Sequence, residues 1–282
     1  MKVATDISSL QNILQALKSS NSDATIGFVP TMGALHQGHL RLVEKAKESA
    51  DFVVVSIFVN PTQFNDPKDL EKYPRTVEAD SQKLEKAGVD LLFLPTEEVM
   101  YPNGKPTDYQ IDLGRLNEVM EGKFRKNHFE GVAMVVERFF RIVEPNKAFF
   151  GLKDFQQLAV IKRLVKLRQF NIDIVPVEIE RESSGLAMSS RNMLLSEEEK
   201  KQALDIINCL NFGSARVGQE VNPQSLKEIM IKEFEKGHLK LEYLEIVDSN
   251  SLENATSFEG STQCCVAAYC GSVRLIDNMK FS

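Results

Sequence analysis

Apolar runs alternate with amphipathic stretches along the first part of the chain. Residues 25–29 form a short apolar run, and apolar residues recur at helical spacing over residues 40–50. Residues 52–59 are then almost continuously apolar, as in a strand that is covered on both faces. The order strand, turn, helix and strand fits a βαβ unit and predicts a parallel sheet.

The same alternation continues as far as residue 179. It predicts helices over residues 77–87, 131–143 and 154–170, and strands over residues 89–94, 148–150 and 172–179. Repeated alternation of this kind is typical of an α/β domain with a mostly parallel sheet. The polar segment 181–192, which has no periodicity, follows and marks the predicted domain boundary.

The remaining residues predict a smaller α+β domain. Ser196 and Glu199 have the spacing of a capping box and predict a helix that ends near Leu210. Asn222 and Pro223 predict the start of a second helix, which ends near residue 237. Strands are predicted over residues 241–247, 265–269 and 273–276. The predicted organisation is therefore one domain at 1–180 and a second at 181–282.

Composition and charge narrow the class of protein. The 282 residues are 43% hydrophobic and 26% charged, which indicates a soluble globular protein. The net charge of -6 argues against a general nucleic-acid binder and is compatible with a small anionic ligand in a local basic pocket. No apolar run is long enough for a membrane span, and residues 1–6 lack the apolar core of a secretory signal. We therefore expect a cytoplasmic protein with neither nucleic acid nor membrane as a partner.

The four cysteines indicate neither a disulfide framework nor a zinc site. Three of them, Cys264, Cys265 and Cys270, lie in an apolar segment, and no pair has zinc-binding spacing. We expect them to fill space in a core.

Residues 30–39, with the sequence PTMGALHQGH, carry the clearest candidate chemistry. They join a predicted strand to a predicted helix through Gly33 and Gly38. We expect His36 and His39 both to face the N-terminal end of that helix. A helix N-terminus presents unpaired N–H groups and the positive end of its dipole, which favours an anion such as phosphate. Ordinary polar surface is the alternative that the histidines alone leave open.

Other polar residues follow predicted strands, where open parallel sheets bind their ligands. Asn60 and Gln63 follow one strand, although these residues by themselves favour an ordinary Asn-Pro turn. Lys153 lies at a helix mouth, where a bound anion would offset its repulsion from the dipole, and Asp154 is also a good N-cap. Residues 189–191 combine two hydroxyls with a guanidinium, as a phosphate site or a solvated linker would.

Two further segments contain charged candidates. Residues 121–129 are basic within an acidic chain and are suited to close over an anionic substrate, whereas His128 by itself is more typical of a structural histidine. Asp80 lies on a predicted helix of mixed charge, where a solvated face is the ordinary interpretation.

Seven motifs occur in order over almost the whole chain. They are PTMG followed by His36 and His39, FVNPTQF at 58–64, YPR at 73–75, YP at 101–102, KDFQQ at 153–157, SSRN at 189–192 and RLIDN at 274–278. Together they resemble the pantothenate synthetase family, the AMP-forming pantoate:beta-alanine ligases. The resemblance implies a Rossmann-like parallel-sheet N-terminal domain of the nucleotidylyltransferase type, a smaller α+β C-terminal lid domain and a homodimer.

The resemblance also implies a reaction. In it, (R)-pantoate and beta-alanine condense to pantothenate through a pantoyl adenylate, ATP is consumed in the presence of Mg²⁺, and AMP and diphosphate are released. This is a step of pantothenate and coenzyme A biosynthesis. A nucleotidylyltransferase that leaves the nucleotide on its product and a catalytically silent nucleotide-binding protein are the two alternatives.

Roles for individual residues follow from their positions in the matching motifs. The implied catalytic residues are His36, His39, Lys153 and Arg191. The implied ATP-binding residues are Met32, Gly33, Ala34, Leu35, His36, Gln37, Gly38, His39, Gly151, Leu152, Lys153, Asp154, Met188, Ser189, Ser190 and Arg191. Pantoate is assigned to Gln63 and Gln157, beta-alanine to Gln63, supporting roles to Asn60, Glu121 and Arg125, and a magnesium-linked role to Asp80. Three residues depart from the commoner family pattern: Leu152, Lys126 and Glu130. We expect these departures to affect the packing of the local loops.

Overall fold

A computed structural model describes residues 1–65, 67–219 and 222–282, and these form two compact units. The first unit contains Met1–Leu152 and Gln156–Glu178, and the second contains Lys153–Phe155 and Ile179–Ser282. The change of unit after Glu178 lies close to the predicted boundary at residue 180. The assignment of ATP and pantoate to the first domain, and of a lid to the second, remains a prediction.

The first unit is an α/β unit. Its strands are β1 (Lys2–Ala4), β2 (Ile26–Thr31), β3 (Phe52–Ile57), β4 (Leu91–Phe93), β5 (Lys147–Gly151) and β6 (Asp173–Val177). Its helices are α1 (Ile7–Ser20), α2 (Gln37–Ser49), α3 (Pro67–Lys72), α4 (Val77–Lys86), α5 (Glu97–Met100), α6 (Met120–Phe124), α7 (His128–Val143) and α8 (Phe155–Arg168), the first residue of which is grouped with the second unit. The strands pair in parallel in the order β1-β4-β3-β2-β5-β6, which confirms the predicted parallel α/β fold.

The strand order reverses direction between β2 and β5. Strands β3 and β4 lie on one side of β2, and β5 and β6 lie on the other. Loops that leave the carboxyl ends of two such strands run in opposite directions and open a crevice, where α/β sheets bind ligands. Strand β2 ends at Thr31, immediately before the turn that carries His36 and His39.

The central strands are buried on both faces, as their apolar runs predict. Phe28 and Val54 belong to one hydrophobic core together with Phe139 of α7. Their neighbours Val29 and Val55 belong to a second core. Successive side chains of a strand point to opposite faces, so a strand between two cores must be apolar at every position.

Strand β1 and helices α1, α3, α5 and α6 were not predicted from the sequence. Helix α1 has Asp6 as its N-cap, and the Asp6 carboxylate accepts a hydrogen bond from the Ser9 N–H at 2.9 Å. Leu10 and Leu14 are buried one turn apart, so the cap and the helical period were both readable in the sequence. Strand β1 has only three residues, which is too short to show a period.

The second unit contains α9 (Glu197–Gln202), α10 (Leu204–Ser214), α11 (Pro223–Phe234) and an antiparallel sheet of β7 (Lys240–Asp248), β8 (Thr262–Cys270) and β9 (Val273–Lys280). The predicted capping box is confirmed: Glu199 N–H donates to Ser196 Oγ at 3.2 Å, and Ser196 N–H donates to Glu199 Oε2 at 2.8 Å. The helix predicted to run to Leu210 is divided at Ala203 into α9 and α10. No proline or glycine lies near Ala203 to signal that break.

The four cysteines are thiols in the interior of the second unit. All four are buried, as expected from the sequence, and all four are reduced. Burial raises the pKa of Cys209 to about 12, so its thiol stays protonated and packs as an apolar group. Among the helices of the described ranges, none has the length and apolarity needed to cross a bilayer.

Candidate active site

Two histidines cap helix α2 at the carboxyl end of β2. His36 is the N-cap, and its Nδ1 accepts a hydrogen bond from the Gly38 N–H at 3.2 Å. The Nδ1 of His39 accepts one from the His36 N–H, also at 3.2 Å, and the two rings lie 4.1 Å apart between centroids. A neutral imidazole whose Nδ1 accepts a hydrogen bond carries its proton on Nε2. Each histidine is therefore fixed as an uncharged Nε2–H donor at a helix N-terminus.

The turn before these histidines is bound by Asp80 of α4, which is completely buried. Asp80 Oδ2 accepts a hydrogen bond from the Ala34 N–H at 2.8 Å, and Oδ1 accepts one from the Leu35 N–H at 2.8 Å. The Thr76 hydroxyl also donates to Oδ2, at 3.0 Å. The interpretation of Asp80 as part of a solvated face is therefore wrong, and the amides of Ala34 and Leu35 are already used within the protein.

Gly33 gives the turn its backbone conformation. Its φ is +80°, and that of the next residue, Ala34, is +50°. A Cβ at Gly33 would lie 3.0 Å from Ile57 Cγ2 and 3.2 Å from Asp80 Oδ2. Residue 33 therefore has to be glycine for conformational and for steric reasons.

We expect Gly33→Ala to destabilise the protein by about 2 kcal/mol, because it adds close contacts with Ile57 and Asp80 to the strain of a left-handed alanine. Gly104→Ala is the matched control: Gly104 has a φ of +81°, but no atom lies within 4 Å of its Cβ position. That control should lose only about 1 kcal/mol. Equal losses in denaturant titrations of the two variants would show that the contacts with Ile57 and Asp80 do not add to the cost.

Gln63 lies in the turn after β3 and is nearly buried. Asn60 Nδ2 donates to Gln63 Oε1 at 3.2 Å and to the Gly131 carbonyl at 3.1 Å. The Tyr101 hydroxyl donates to Asn60 Oδ1 at 2.9 Å. Burial raises the pKa of Tyr101, which keeps that hydroxyl protonated. This network orients the Gln63 amide so that its Nε2 lies 2.9 Å from Met32 Sδ, beside the histidine turn.

His128 supports the same segment from helix α7. It is buried, and its Nδ1 lies 2.7 Å from the Gln63 carbonyl oxygen. Gly131 lets α7 approach closely, because a Cβ there would lie 2.3 Å from the Thr62 carbonyl oxygen. The structural interpretation of His128 fits this geometry.

A second glutamine, Gln156, organises the basic segment. Gln156 is buried, and its Nε2 donates to the carbonyls of Leu116 and Val119 at 2.7 and 2.9 Å. Its Oε1 accepts from the Glu121 N–H at 2.9 Å, and Glu121 forms an ion pair with Arg125 at 3.4 Å. Sequence reasoning missed the role of Gln156 because its partners are backbone groups 35 to 40 residues away.

Gln157, the residue predicted to bind pantoate, lies in the first turn of α8. Its side chain is half-buried, and within the described residues it makes no hydrogen bond. The donors and the acceptor of its amide are therefore not used by other described residues.

In the second unit, Lys153 and Asp154 lie in a 3-10 turn over Leu152–Asp154. The Lys153 carbonyl accepts a hydrogen bond from Asn278 Nδ2 at 2.9 Å. Its ammonium has no hydrogen bond or ion pair within residues 1–65, 67–219 and 222–282. Asp154 is exposed, and its side chain does not cap α8 in the described residues, so the N-cap interpretation is wrong.

The segment 181–192 is held by specific bonds. Arg181 forms two bonds with the Asp277 carboxylate at 2.7 and 3.0 Å. Asn192 donates to Glu182 Oε1 at 2.9 Å and to the Ala187 carbonyl at 3.1 Å. Near its end, Ser189 Oγ accepts from the Arg191 N–H at 3.3 Å, and Ser190 is buried.

Local contacts are seen at the three departures from the family pattern, although Glu130 Oε2 is buried without a hydrogen-bond partner among the described residues. Leu152 packs half-buried against the first core. The Lys126 carbonyl accepts a hydrogen bond from the Asn65 side chain, and Glu130 Oε1 accepts one from Asn117 Nδ2 at 2.7 Å.

Comparison with known proteins identifies the family. The sequence profile of the pantoate-beta-alanine ligase family matches residues 2–280. The chain belongs to this family. It is 45% identical over 285 aligned positions to the pantothenate synthetase of Porphyromonas gingivalis, with 100% of this chain and 99% of that protein covered.

Solved structures agree with this pantoate-beta-alanine ligase assignment. The pantothenate synthetase of Thermus thermophilus superposes with a TM-score of 0.91 at 39% identity and covers 99% of both chains. The ligase of Francisella tularensis, solved in complex with beta-gamma ATP and beta-alanine, gives 0.82 at 38% identity, over 99% of this chain and 97% of that one. The resemblance, the fold class and the ligase class are confirmed.

Proposed function

We propose that this ligase joins (R)-pantoate to beta-alanine by way of a pantoyl adenylate, with ATP converted to AMP and diphosphate. The family supports the overall reaction. The observation that carries the proposed chemistry is the pair of capping histidines, which aim two neutral N–H donors from a helix N-terminus. That arrangement suits phosphate oxygens.

In the first step a pantoate carboxylate oxygen attacks the α-phosphorus of ATP, the bond from phosphorus to the bridging oxygen breaks, and diphosphate leaves. A carboxylate is already a nucleophile, so the protein has to align the reactants and stabilise charge on the phosphates. We propose that His36 and His39 donate from Nε2 to phosphate oxygens. His39 then stabilises the departing charge, since bound diphosphate needs little protonation.

In the second step the amine of beta-alanine attacks the acyl carbon of the adenylate. A carbon–nitrogen bond forms, the bond from carbon to the AMP oxygen breaks, and the nitrogen loses a proton to solvent. Gln63 is proposed to contact both pantoate and beta-alanine, and Gln157 to contact pantoate. Lys153, Asp154 and residues 188–191 of the second unit are proposed as ATP ligands on the strength of the family motifs.

Mg²⁺ is proposed to enter with ATP as part of the substrate. Asp80 does not fit as a direct ligand, because both of its oxygens already accept hydrogen bonds and its side chain is completely buried. No cluster of three or more His, Cys, Asp or Glu residues suited to a metal occurs in the described ranges. Phosphate oxygens and water commonly supply most of the ligands of Mg²⁺.

A product assay separates this function from a nucleotidylyltransferase. Incubated with ATP, pantoate and beta-alanine, the protein should release one AMP for each pantothenate formed. A product that retains the nucleotide would support the nucleotidylyltransferase, and ATP binding without turnover would support the silent protein.

We also propose that the protein is a cytoplasmic homodimer. Light scattering of the purified protein should give about twice the monomer mass of 31.8 kDa. A monomer mass at working concentration would contradict the dimer.

Tyr101→Phe tests whether the network that orients Gln63 serves pantoate binding. Loss of the hydroxyl leaves Asn60 Oδ1 without one of its donors. We expect the KM for pantoate to rise about fivefold, the effect of losing about 1 kcal/mol, and the KM for ATP to stay within twofold. Tyr269→Phe, which removes a hydroxyl bonded to Glu242 in the second unit, is the matched control. Equal changes in both KM values would argue against a specific role.

A further inference from the structure

We propose that Asp80 is a positioning residue for adenylate formation, which acts through the backbone of the histidine turn. This inference rests on the two-step reaction proposed above. Asp80 reaches the turn through the amides of Ala34 and Leu35, the two residues immediately before His36.

The turn has the backbone shape of an anion-binding site, and the Asp80 carboxylate occupies that site. Gly33 and Ala34 both have positive φ, and the N–H groups of Ala34 and Leu35 converge on one carboxylate. Successive amides in such a conformation form a nest for an anion, and in nucleotide-binding loops that anion is commonly a phosphate. Here a buried carboxylate holds the position, so the amides of Ala34 and Leu35 order the turn and are not phosphate ligands.

The surroundings of Asp80 show that the carboxylate is built into the turn. Besides the two amides, the Thr76 hydroxyl donates to Oδ2, and Lys83 Nζ lies 3.9 Å from Oδ1. Lys83 also donates to the Leu35 carbonyl at 2.6 Å, so it binds the same turn. A buried carboxylate has to be hydrogen-bonded, and the two amides and the Thr76 hydroxyl meet that need. Lys83 places an opposite charge nearby without a hydrogen bond to Asp80.

Asp80 contributes to catalysis by aligning the Nε2 donors of His36 and His39. His36, the N-cap of α2, directly follows the residues whose amides Asp80 binds, and a capping bond links the His36 N–H to the His39 ring. A turn released from Asp80 would let both Nε2 donors move relative to the phosphates. Misplacement of about 1 Å is sufficient to cost on the order of 100-fold in rate.

Asp80→Asn is the informative substitution, because an amide can accept from only one of the two N–H groups and places its own NH₂ against the other. We expect pantoate-dependent exchange of diphosphate into ATP to fall about 100-fold. Amide formation from supplied pantoyl adenylate should fall at most about threefold, because that step no longer needs alignment of the triphosphate. Glu78→Gln, an exposed change on the same helix, is the control and should stay within about twofold of the parent.

A magnesium titration distinguishes positioning from metal binding. If Asp80 acts through the turn, the Mg²⁺ concentration for half-maximal exchange stays the same in Asp80→Asn. If Asp80 is a metal ligand, that concentration rises and excess Mg²⁺ restores part of the rate, which would overturn the proposal.

Thr76→Val is a milder second variant that tests the same role if Asp80→Asn does not fold. It removes only one hydrogen-bond donor to Asp80 Oδ2. We expect a fall of about fivefold in exchange with the second step unchanged, consistent with loss of one hydrogen bond. Equal losses in both half-reactions for either folded variant, or no loss in exchange, would overturn the positioning role. Absence of exchange in the parent protein would instead count against the proposed function itself.

Discussion

His39→Ala is expected to lower the rate of pantoate-dependent diphosphate exchange by on the order of 100-fold or more. The substitution removes an Nε2–H donor and the Nδ1 atom that accepts the His36 N–H. His238→Ala, on the exposed surface of the second unit, is the matched control and should leave exchange unchanged. A His39→Ala protein within a few-fold of the parent would contradict the role of this residue.

Two conservative changes separate the capping role of His39 from its donor role. His39→Asn keeps an acceptor near the position of Nδ1 but lacks a donor at Nε2, so we expect normal thermal stability and low activity. His39→Gln keeps a polar group near the Nε2 position but loses the cap, so we expect lower stability by about 1 kcal/mol and higher residual activity than Asn. The reverse order of activities would assign the effect to capping alone.

Lys153→Ala is expected to have the second large effect, a loss of about 100-fold or more in exchange. Its ammonium has no partner within the described ranges, although it lies in a turn at the start of a helix where a cation is unfavourable. Removal of this charge should therefore leave stability within about 0.5 kcal/mol of the parent.

Lys153→Arg tests whether charge alone is sufficient. A guanidinium keeps the positive charge but not the compact geometry of the ammonium, so we expect only partial recovery. Lys162→Ala, on the exposed surface of α8, is the matched control and should have no effect on exchange. Unchanged exchange in Lys153→Ala would remove this residue from the proposed ATP site.

Most of the fold was predictable because its signals are local. The strands around Val54 and Phe149 are apolar at successive positions, and helix caps such as Ser196 and Asn222 are visible as short motifs. The division at Ala203 was not predictable, since propensity and period continue through it. Helix α1 was missed although its cap at Asp6 was present in the sequence.

The site was predictable in its residue types but not in its bonding. The turn around His36 and His39 was visible as a strand, a glycine turn and a helix. The capping bonds to the two Nδ1 atoms depend on side-chain rotamers, which cannot be read from the sequence. The roles of Asp80 and Gln156 depend on backbone groups that are 45 and 35 residues away in sequence, and no local pattern reports such partners.

The exchange of labelled diphosphate into ATP, measured with pantoate and without beta-alanine, tests the two-step account most directly. We expect exchange under these conditions and net release of AMP only after beta-alanine is added. Exchange that requires beta-alanine, or none with pantoate present, would contradict a pantoyl adenylate that forms before the amine reacts.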